Sequence, residues 1–457
     1  NTITFDTGVF NTAAGSRTIT LTSGDIVFTN SANSNATVIG PGANLLTVSG
    51  NNQSKIFSIL ETPVVSISGM TLTNGNGVGV SPGNTFGGAV YNQGALTLTN
   101  MVVTGNSAGN DGGGVYNSTS DSLTIISSTI TNNIAASQSG GVHNHNSGTL
   151  TITNSTISNN AANAPAGSGV GGGAIYSEDG SILSLTNSTI NGNQALSSGG
   201  GIVADSITLT MTNSIVSGNS SGVVGGGIAM DIDTTATITG STISGNTAVL
   251  RGGGLNLEPD SNNLITITNS TISGNSSPTG GGISRDAAAS LTVTVSHSTI
   301  ASNTATTIGG GISGTMNLGN TIVGNNNAPT GPDYAGTLSS QDHNLVENTA
   351  GATITGTTTN NITGQDPNLG PLQNNGGPTQ THPLLNGSPA IDKGASGALT
   401  VDQRQLTRPY DDPSILNAAG GNGSDIGSYE DQPGVFTPVG TGVNVVDPIG
   451  NTSVTFS

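Results

Sequence analysis

The sequence predicts an all-β fold in which one chain winds into a parallel β-helix of about 12 coils. Three observations lead to this prediction. A motif of the form T-N-S-T-I-S-G-N recurs along the chain, and a glycine run followed by an aliphatic residue lies between most copies. The composition is unusual, with 71 Gly in 457 residues, 7% charged residues and 3% aromatic residues. Bulky side chains are too few for a deep globular core, whereas a narrow solenoid coil is buried by its neighbours.

The recurring motif is centred on an aliphatic anchor residue. Successive anchors are 22 to 33 residues apart and lie at Leu72, Val103, Ile130, Ile157, Ile190, Val216, Ile243, Ile272, Ile300 and Ile322. Three short segments per repeat alternate aliphatic residues with Thr or Ser, as at 227–230, 150–153 and 155–158. This period-2 pattern predicts strands with one buried face, and the Asn and Gly between them suit sharp corners. We therefore expect three strands and three corners in each coil.

Asparagine recurs at two of the predicted corners. One set is Asn154, Asn187, Asn213 and Asn269, and the other is Asn193, Asn219, Asn246 and Asn275. Side-chain amides stacked from coil to coil can donate to and accept from one another. The sequence therefore predicts amide ladders along the solenoid.

The charge balance excludes several classes of partner. The chain has 7 Lys and Arg against 25 Asp and Glu, a net charge of -18. A basic patch that could neutralise nucleic-acid phosphates or an anionic membrane surface cannot be built from so few cations. No stretch approaches 18 consecutive apolar residues, so we expect no membrane insertion of this chain. The absence of cysteine excludes disulfides and thiolate metal sites.

Two columns of side chains are predicted on the outside of the glycine-run strands. Counting from the aliphatic residue that ends each run, position +1 is occupied in four consecutive coils by Tyr91, Tyr116, His143 and Tyr176. Position +3 is occupied in later coils by Glu178, Asp205, Asp231, Glu258 and Asp286. The first set predicts a surface aromatic stripe. The second predicts a solvated acidic face, a Ca²⁺ site or a glycan-binding groove, because neighbouring carboxylates repel unless a hard cation lies between them.

Catalytic and transition-metal sites have less support in the sequence. His143 and His145 are two residues apart and share one strand face, a spacing compatible with a metal, yet no third ligand is evident and a surface role is favoured. Carboxylates about 5 Å apart would suit a retaining glycosidase. A lyase would need a basic residue, for which Arg285 and Arg251 are the candidates. No complete catalytic set emerges, so we expect no catalytic residue and no cofactor other than possible Ca²⁺.

The last hundred residues carry a different set of motifs. Positions 369–379 read LGPLQNNGGPT and positions 387–394 read GSPAIDKG, followed by DQR at 402–404, RP at 408–409 and DIGSYE at 425–430. This ordered set resembles bacterial choice-of-anchor Q domain proteins. The resemblance implies a right-handed parallel β-helix with a pectin-lyase-like fold, exported and fixed to the cell surface. The Gly-Gly-Ala-aliphatic segments are also similar to repeats of outer-membrane adhesins.

These patterns divide the chain into three parts. We predict a parallel β-helix at 1–332, a choice-of-anchor Q-like cap at 333–431 that covers the open end of the solenoid, and a strand-like tail or start of a further β-domain at 432–457. Asp392, Arg404, Arg408 and Asp425 are expected to form ion pairs within the cap.

The predicted function is that of a non-enzymatic adhesive or structural rod, extracellular or on a bacterial cell surface, with glycans or other copies of itself as partners. One alternative is a subunit of an extracellular filament or sheath that assembles by terminal strand addition. The other is a polysaccharide lyase or hydrolase.

Overall fold

The computed structural model describes residues 1–11, 15–29, 35–79, 85–118, 120–168, 170–258, 264–285, 291–432, 445–446 and 453–454. These residues form a right-handed parallel β-helix, and no α-helix occurs among them. The predicted fold class is therefore confirmed. Each typical coil contains the three predicted strands, and eight coils add a fourth strand that the sequence pattern did not reveal.

The first strand of a coil follows the glycine run and belongs to what we name the glycine-run sheet. Its strands are Ile26–Thr29, Phe57–Leu60, Val90–Asn92, Val115–Asn117, Val142–Asn144, Ile175–Glu178, Ile202–Asp205, Ile228–Met230, Leu255–Leu257, Ile283–Arg285 and Ile312–Ser313. The next strand belongs to the threonine sheet, formed by Thr2–Thr4, Ala36–Ile39, Val64–Ser68, Ala95–Thr99, Ser122–Ile126, Thr149–Thr153, Ile182–Thr186, Thr208–Thr212, Thr235–Thr239, Leu264–Thr268, Thr292–Ser296, Met316–Gly319 and Ala352–Thr357. A longer strand, Tyr334–Gln341, pairs with both sheets.

The third strand carries the anchor residue, and these strands form the anchor sheet. It contains 14 strands: Arg17–Thr20, Leu46–Ser49, Thr71–Thr73, Val102–Thr104, Thr129–Thr131, Thr156–Ser158, Thr189–Asn191, Ile215–Ser217, Thr242–Ser244, Thr271–Ser273, Thr299–Ala301, Ile322–Gly324, Leu345–Val346 and Ile362–Thr363. The additional short sheet is formed by Ser107–Ala108, Ile134–Ala135, Ala161–Ala162, Gln194–Ala195, Ser220–Ser221, Thr247–Ala248, Ser276–Thr279 and Thr304–Ile308. Near the C-terminus Val445–Val446 pairs antiparallel with Ser453–Val454.

The interior of the solenoid is a set of aliphatic columns. Inward positions of the threonine sheet, such as Leu150 and Ile152, and the anchor Ile157 are completely buried, and each contacts its counterpart in the next coil. One predicted anchor is displaced: Ile300 is in register with Val323, so Val323 continues the column and Ile322 faces outward. Ile322 and Val323 are adjacent aliphatic residues, so the sequence pattern does not show which of them points inward. A shift of one residue in the strand register exchanges the inward and outward side chains.

One of the two predicted asparagine ladders is present. In this ladder each asparagine Nδ2 donates a hydrogen bond to the Oδ1 of the next asparagine at 2.9 or 3.0 Å, and the side chains are buried or partly buried. Its members are Asn106, Asn133, Asn160, Asn193, Asn219, Asn246, Asn275, Asn303 and Asn326. The other set occupies a left-handed corner, as shown by Asn154 with φ of 50° and Asn213 with φ of 49°. Asn adopts this backbone conformation readily, so these residues serve the left-handed corner and do not form a ladder.

The glycine runs satisfy two steric requirements. In most runs the first glycine, such as Gly199 with φ of 63°, adopts a left-handed conformation. The second glycine lies too close to the backbone of the next coil for a side chain to fit. A Cβ on Gly226, for example, would lie 2.5 Å from the carbonyl oxygen of Gly253. The second position excludes side chains in coil after coil, which contributes to the high glycine content.

The strand ladders continue to Thr363, beyond the division predicted at 332, and that domain division stays a prediction. Residues 369–430, which we name the C-terminal flank, lie against the outer face of the anchor sheet. Gln403 donates to the carbonyl oxygen of Ser241, and Ser428 donates from its backbone to Thr299. An apolar cluster joins the flank to outward Ile322 and Leu345. The cap expected over the end of the solenoid therefore lies along its side.

The buried ion pairs of the flank differ from those expected. Arg404 pairs with Asp402 at 2.7 Å and Arg408 pairs with Glu430 at 2.7 Å, and all four side chains are fully buried. Asp392 and Asp425 accept backbone N–H groups, from Asp412 and Asp392 respectively. Burial and the neighbouring Glu430 carboxylate raise the pKa of Asp425 well above its ordinary value.

Candidate functional site on the glycine-run sheet

The predicted aromatic residues form a continuous stack, which we name the aromatic column: Tyr91, Tyr116, His143 and Tyr176. Ring centroids are 5.5 Å apart for Tyr91 and Tyr116, 4.9 Å for Tyr116 and His143, and 5.5 Å for His143 and Tyr176, with interplanar angles of 7° to 11°. The in-register parallel strands impose this arrangement, because equivalent side chains lie one above the other.

The aromatic column is buried, contrary to the exposed stripe expected from the sequence. Its four members have relative exposures of only 5, 5, 1 and 2% along the column. A left-handed glycine lies against each of the three tyrosines, since a Cβ on Gly172 would approach the Tyr176 Cβ to 3.0 Å, and left-handed Ser139 takes the equivalent place before His143. Phe86 stacks on Tyr116 with centroids 4.7 Å apart. The rings therefore form an outer core and do not offer a free stacking surface.

A lysine and an aspartate at the N-terminal end of this column were not singled out from the sequence. The Lys55 ammonium lies 4.9 Å from the Tyr91 ring centroid, and its side chain is completely buried. Burial lowers the pKa of Lys55 to about 8, although the Asp25 carboxylate opposes this shift. Asp25 also accepts a hydrogen bond from Ser58. The only sequence signal was the rarity of lysine in this chain, which does not indicate a site.

Two histidines and a glutamate meet at the middle of the sheet. His143 Nε2 lies 3.1 Å from Glu178 Oε1, and His145 Nδ1 lies 2.6 Å from the same oxygen. The three ligand atoms all lie within 4.8 Å of one another. Burial alone would raise the pKa of Glu178, but the hydrogen bonds and charges of the two histidines outweigh it and lower the pKa.

Glu178 is the third member of this cluster, and the sequence interpretation did not connect it with the two histidines. His145 and Glu178 both occupy position +3 of their strands, in consecutive coils. The signal was therefore present in the repeat register, but the 33-residue interval between them hides their proximity in the linear sequence.

Beyond Glu178 the +3 position continues as the acidic column, Glu178, Asp205, Asp231 and Glu258. Glu178 and Asp205 are direct register partners. Asp205 accepts hydrogen bonds from Tyr176 at 3.3 Å and from Ser206 at 3.1 Å. Arg251 lies 3.7 Å from Glu258. Asp286, the fifth predicted member, lies outside the described residues, and the Ca²⁺ or glycan role of the set stays a prediction.

The acidic column titrates differently from coil to coil. Burial raises the pKa of Asp205, and it raises the pKa of Asp231 to about 7, with further contributions from the charges of Asp205 and Glu258. Glu178, with its two histidines, is shifted in the opposite direction. One column thus combines a stabilised carboxylate with carboxyls that favour the protonated form.

A second cluster lies in the shallow groove between the anchor sheet and the C-terminal flank. The Ser273 hydroxyl oxygen lies 2.8 Å from His382 Nε2, and His382 Nδ1 lies 2.7 Å from the carbonyl oxygen of Gly370. Both side chains are at least 96% buried. We interpret this hydrogen-bonded link as an attachment of the flank to the solenoid.

No family model, curated protein or solved structure matches this chain. The fold class of the protein is shown by the structure. This chain is a parallel β-helix protein. In the described part of the chain, no helix has the length and apolar character needed to cross a membrane.

Proposed function

We propose that this β-helix is a non-enzymatic rod, secreted or held at a bacterial cell surface, with an adhesive or structural role. The observation that supports this proposal best is the outer face of the threonine sheet. That face presents parallel rows of hydroxyl side chains, and acids and bases are absent from its central positions in the nine consecutive strands from Val64–Ser68 to Thr292–Ser296.

The rows follow from the strand alternation. In Thr208–Thr212 and Thr235–Thr239 the second and fourth residues are buried, while the first and third are exposed. The central outward position is Thr or Ser in each of these nine strands: Ser66, Thr97, Thr124, Thr151, Ser184, Thr210, Thr237, Thr266 and Thr294. Hydroxyls therefore repeat at about 4.8 Å along the rod and about 6.6 Å along each strand.

A flat, regular and weakly charged array of hydroxyls is suited to an extended partner that repeats in the same way. Neutral polysaccharides meet this requirement, because they present hydroxyls at short intervals and carry no charge for the few basic residues to recognise. Many weak contacts along one rigid face can add up to firm attachment through multivalency.

The sequence motifs support a surface location. The C-terminal set at 369–430 resembles choice-of-anchor Q domain proteins, and membership of that group would imply export and attachment to the cell surface. Labelling of intact and of lysed native cells with an antibody against the solenoid tests this part of the proposal. We expect labelling of intact cells, and signal confined to lysed cells would contradict a surface role.

Cosedimentation with insoluble neutral polysaccharides, such as cellulose and chitin, tests the adhesive role. Charged substitutions Thr210→Glu and Thr237→Glu on the threonine sheet should weaken binding at least about tenfold, because they place unpaired charges in the contact. Thr129→Glu and Thr156→Glu, on half-exposed positions of the anchor sheet, are matched controls. Binding to none of the polysaccharides, or equal losses in both pairs, would refute the adhesive role.

The filament alternative is favoured by the strand edges of the first coil. Among the described residues, each strand of the first coil pairs on one side, and Ile3 is 51% exposed; these strands are Thr2–Thr4, Arg17–Thr20 and Ile26–Thr29. Such edges can add strands of another copy. Electron microscopy of native material separates the alternatives, because isolated rods at high concentration would exclude the filament.

The polysaccharide-enzyme alternative is favoured by the spacing of Glu178 and Asp205, whose strands are adjacent. Adjacent strands are about 4.8 Å apart, close to the carboxyl separation of retaining glycosidases. Incubation with acidic and neutral glycans, with and without Ca²⁺, should release no new reducing ends or unsaturated products. Release that is abolished by Glu178→Gln would establish the enzyme and overturn the non-enzymatic proposal.

A further inference from the structure

The cluster in the middle of the glycine-run sheet has the composition of a metal centre. We infer that His143, His145 and Glu178 form a binding site for one divalent transition-metal ion, of which Zn²⁺ is the best-suited member. Their ligand atoms are already together, with Glu178 Oε1 2.6 Å from His145 Nδ1 and 3.1 Å from His143 Nε2. This inference concerns a different sheet from the adhesive proposal and does not depend on it.

The donor set selects the class of metal. Two imidazole nitrogens and one carboxylate suit Zn²⁺ and its neighbours Cu²⁺ and Ni²⁺, whereas Ca²⁺ and Mg²⁺ prefer sites made wholly of oxygen. Zinc sites of two histidines and one glutamate keep a fourth position for water or another ligand. Asp205 is the register partner of Glu178 on the next strand.

The distances between the ligand atoms can be compared with those of a tetrahedral zinc site. Tetrahedral Zn²⁺ with bonds of about 2.0–2.1 Å needs ligand atoms about 3.3 Å apart. The distance from Glu178 Oε1 to His143 Nε2 is 3.1 Å, the 2.6 Å distance to His145 Nδ1 has to widen, and the two histidine nitrogens lie within 4.8 Å of one another. The His145 side chain is 33% exposed and can rotate.

The other two ligands are held by their surroundings. The His143 ring is stacked between Tyr116 and Tyr176, with centroids at 4.9 and 5.5 Å, and is 1% exposed. Glu178 is part of the strand Ile175–Glu178 and its side chain is 14% exposed. The site therefore combines two pre-positioned ligands with one adjustable ligand on the solvent side, which leaves a path for the ion to enter.

The local charge also favours a cation. Glu178 and Asp205 are register partners on adjacent strands. In the described ranges, neither Lys nor Arg forms an ion pair with Glu178 or Asp205. A divalent ion held by Glu178 would offset this excess of negative charge.

Calorimetric titration of the full chain with ZnCl₂, after removal of bound metal by a chelator, tests the site. We expect one Zn²⁺ per chain and at least about tenfold weaker binding in His145→Gln and in Glu178→Gln, since loss of an outer-shell partner alone costs about 10–100-fold. Asp179→Asn is the matched control, because it removes an adjacent exposed carboxylate at a left-handed position that Asn tolerates, and its binding should stay within about twofold of wild type.

Zinc-edge X-ray absorption gives an independent readout, for which we expect two imidazole nitrogens in the coordination shell. Circular dichroism of each variant checks that the solenoid is intact, and His145→Gln, at a partly exposed position, is the variant least dependent on core packing. Absence of saturable binding in the wild type would overturn the inference. Binding that is unchanged in His145→Gln and Glu178→Gln, that falls equally in Asp179→Asn, or that a hundredfold excess of Ca²⁺ displaces would also overturn it.

Discussion

In the solenoid each coil is stabilised by the coil on either side, whereas the C-terminal flank is stabilised by contacts that occur once. A middle coil repeats the same aliphatic columns, the same Ser and Asn hydrogen bonds and the same glycine stacking as its neighbours. The flank has almost no regular strand and relies on fully buried pairs such as Arg404 with Asp402 and Arg408 with Glu430. A fault in the solenoid is therefore local and graded, while a fault in the flank affects the whole attachment.

The largest effect is expected from breaking a buried pair in the flank. Arg408→Met leaves the Glu430 carboxylate buried without its guanidinium, which should destabilise the flank by about 3–5 kcal/mol. Segment-resolved hydrogen exchange should show faster exchange at 369–430 and unchanged exchange in the coils at 100–217.

The double variant Arg408→Met with Glu430→Gln is the control for this prediction. It removes the uncompensated charge and should recover part of the lost stability. Uniform acceleration of exchange over coils and flank together would contradict the separation between the two regions.

A smaller, local effect is expected in the solenoid. Asn246→Ala removes the donors to the Val216 carbonyl oxygen at 3.0 Å and to Asn275 at 2.9 Å. The unsatisfied groups should cost about 1–3 kcal/mol in urea unfolding. Asn213→Gly, at a left-handed corner with φ of 49°, should change stability by less than about 0.5 kcal/mol. Equal costs for the two variants would contradict the distinction between ladder and corner asparagines.

Within the solenoid, the acidic column should differ from the uncharged ladders in its pH dependence. The pKa of Asp231 is raised by burial to about 7, whereas that of an unfolded chain is about 3.9. The folded state therefore binds the proton more tightly, so this group destabilises the fold as pH rises from about 4 to 7.

Asp231→Asn removes this dependence. At pH 8 the variant should have a free energy of unfolding about 1 kcal/mol higher than the wild type, which raises its melting temperature by a few degrees. The difference should disappear near pH 4. Asp233→Asn, at an exposed neighbouring position, should show no such trend. A gain that persists at pH 4 would contradict the titration of Asp231 as its cause.

The smallest effect is expected from Ca²⁺. If the acidic column recruits this ion, millimolar Ca²⁺ should raise the melting temperature of the wild type by about 1–3 °C through preferential binding to the folded state. The variant Asp231→Asn with Glu258→Gln should lose the shift. If Ca²⁺ does not change the melting temperature of the wild type, or changes that of the variant equally, the acidic column does not bind Ca²⁺.

Much of the fold could be predicted because its interactions are periodic. The repeat places Ile157 above Ile130 and Asn219 above Asn193 with no knowledge of distant segments. The same reasoning failed at Ile322, where adjacent aliphatic residues left the register open. It also did not distinguish the corner asparagines from the ladder asparagines that follow them by six residues, as Asn219 follows Asn213, because both sets recur with the same period.

The candidate site was predictable only in part. Position +3 placed Glu178 and Asp205 in one column, as observed, and position +1 grouped the rings. Burial of the rings depends on how the left-handed glycines pack on them, as Gly172 does on Tyr176, and that is a tertiary effect. The contact of Glu178 with His145 needed the register across a longer coil.

The sequence by itself determined the coil period, the inward and outward faces and the glycine corners, since each depends on neighbouring residues or on the next identical coil. The tertiary structure decided which outward side chains are buried, that His143, His145 and Glu178 share one point, and that the C-terminal flank lies along the anchor sheet. These outcomes depend on contacts between segments that do not repeat, such as Gln403 with Ser241. Periodicity carries no information about such contacts.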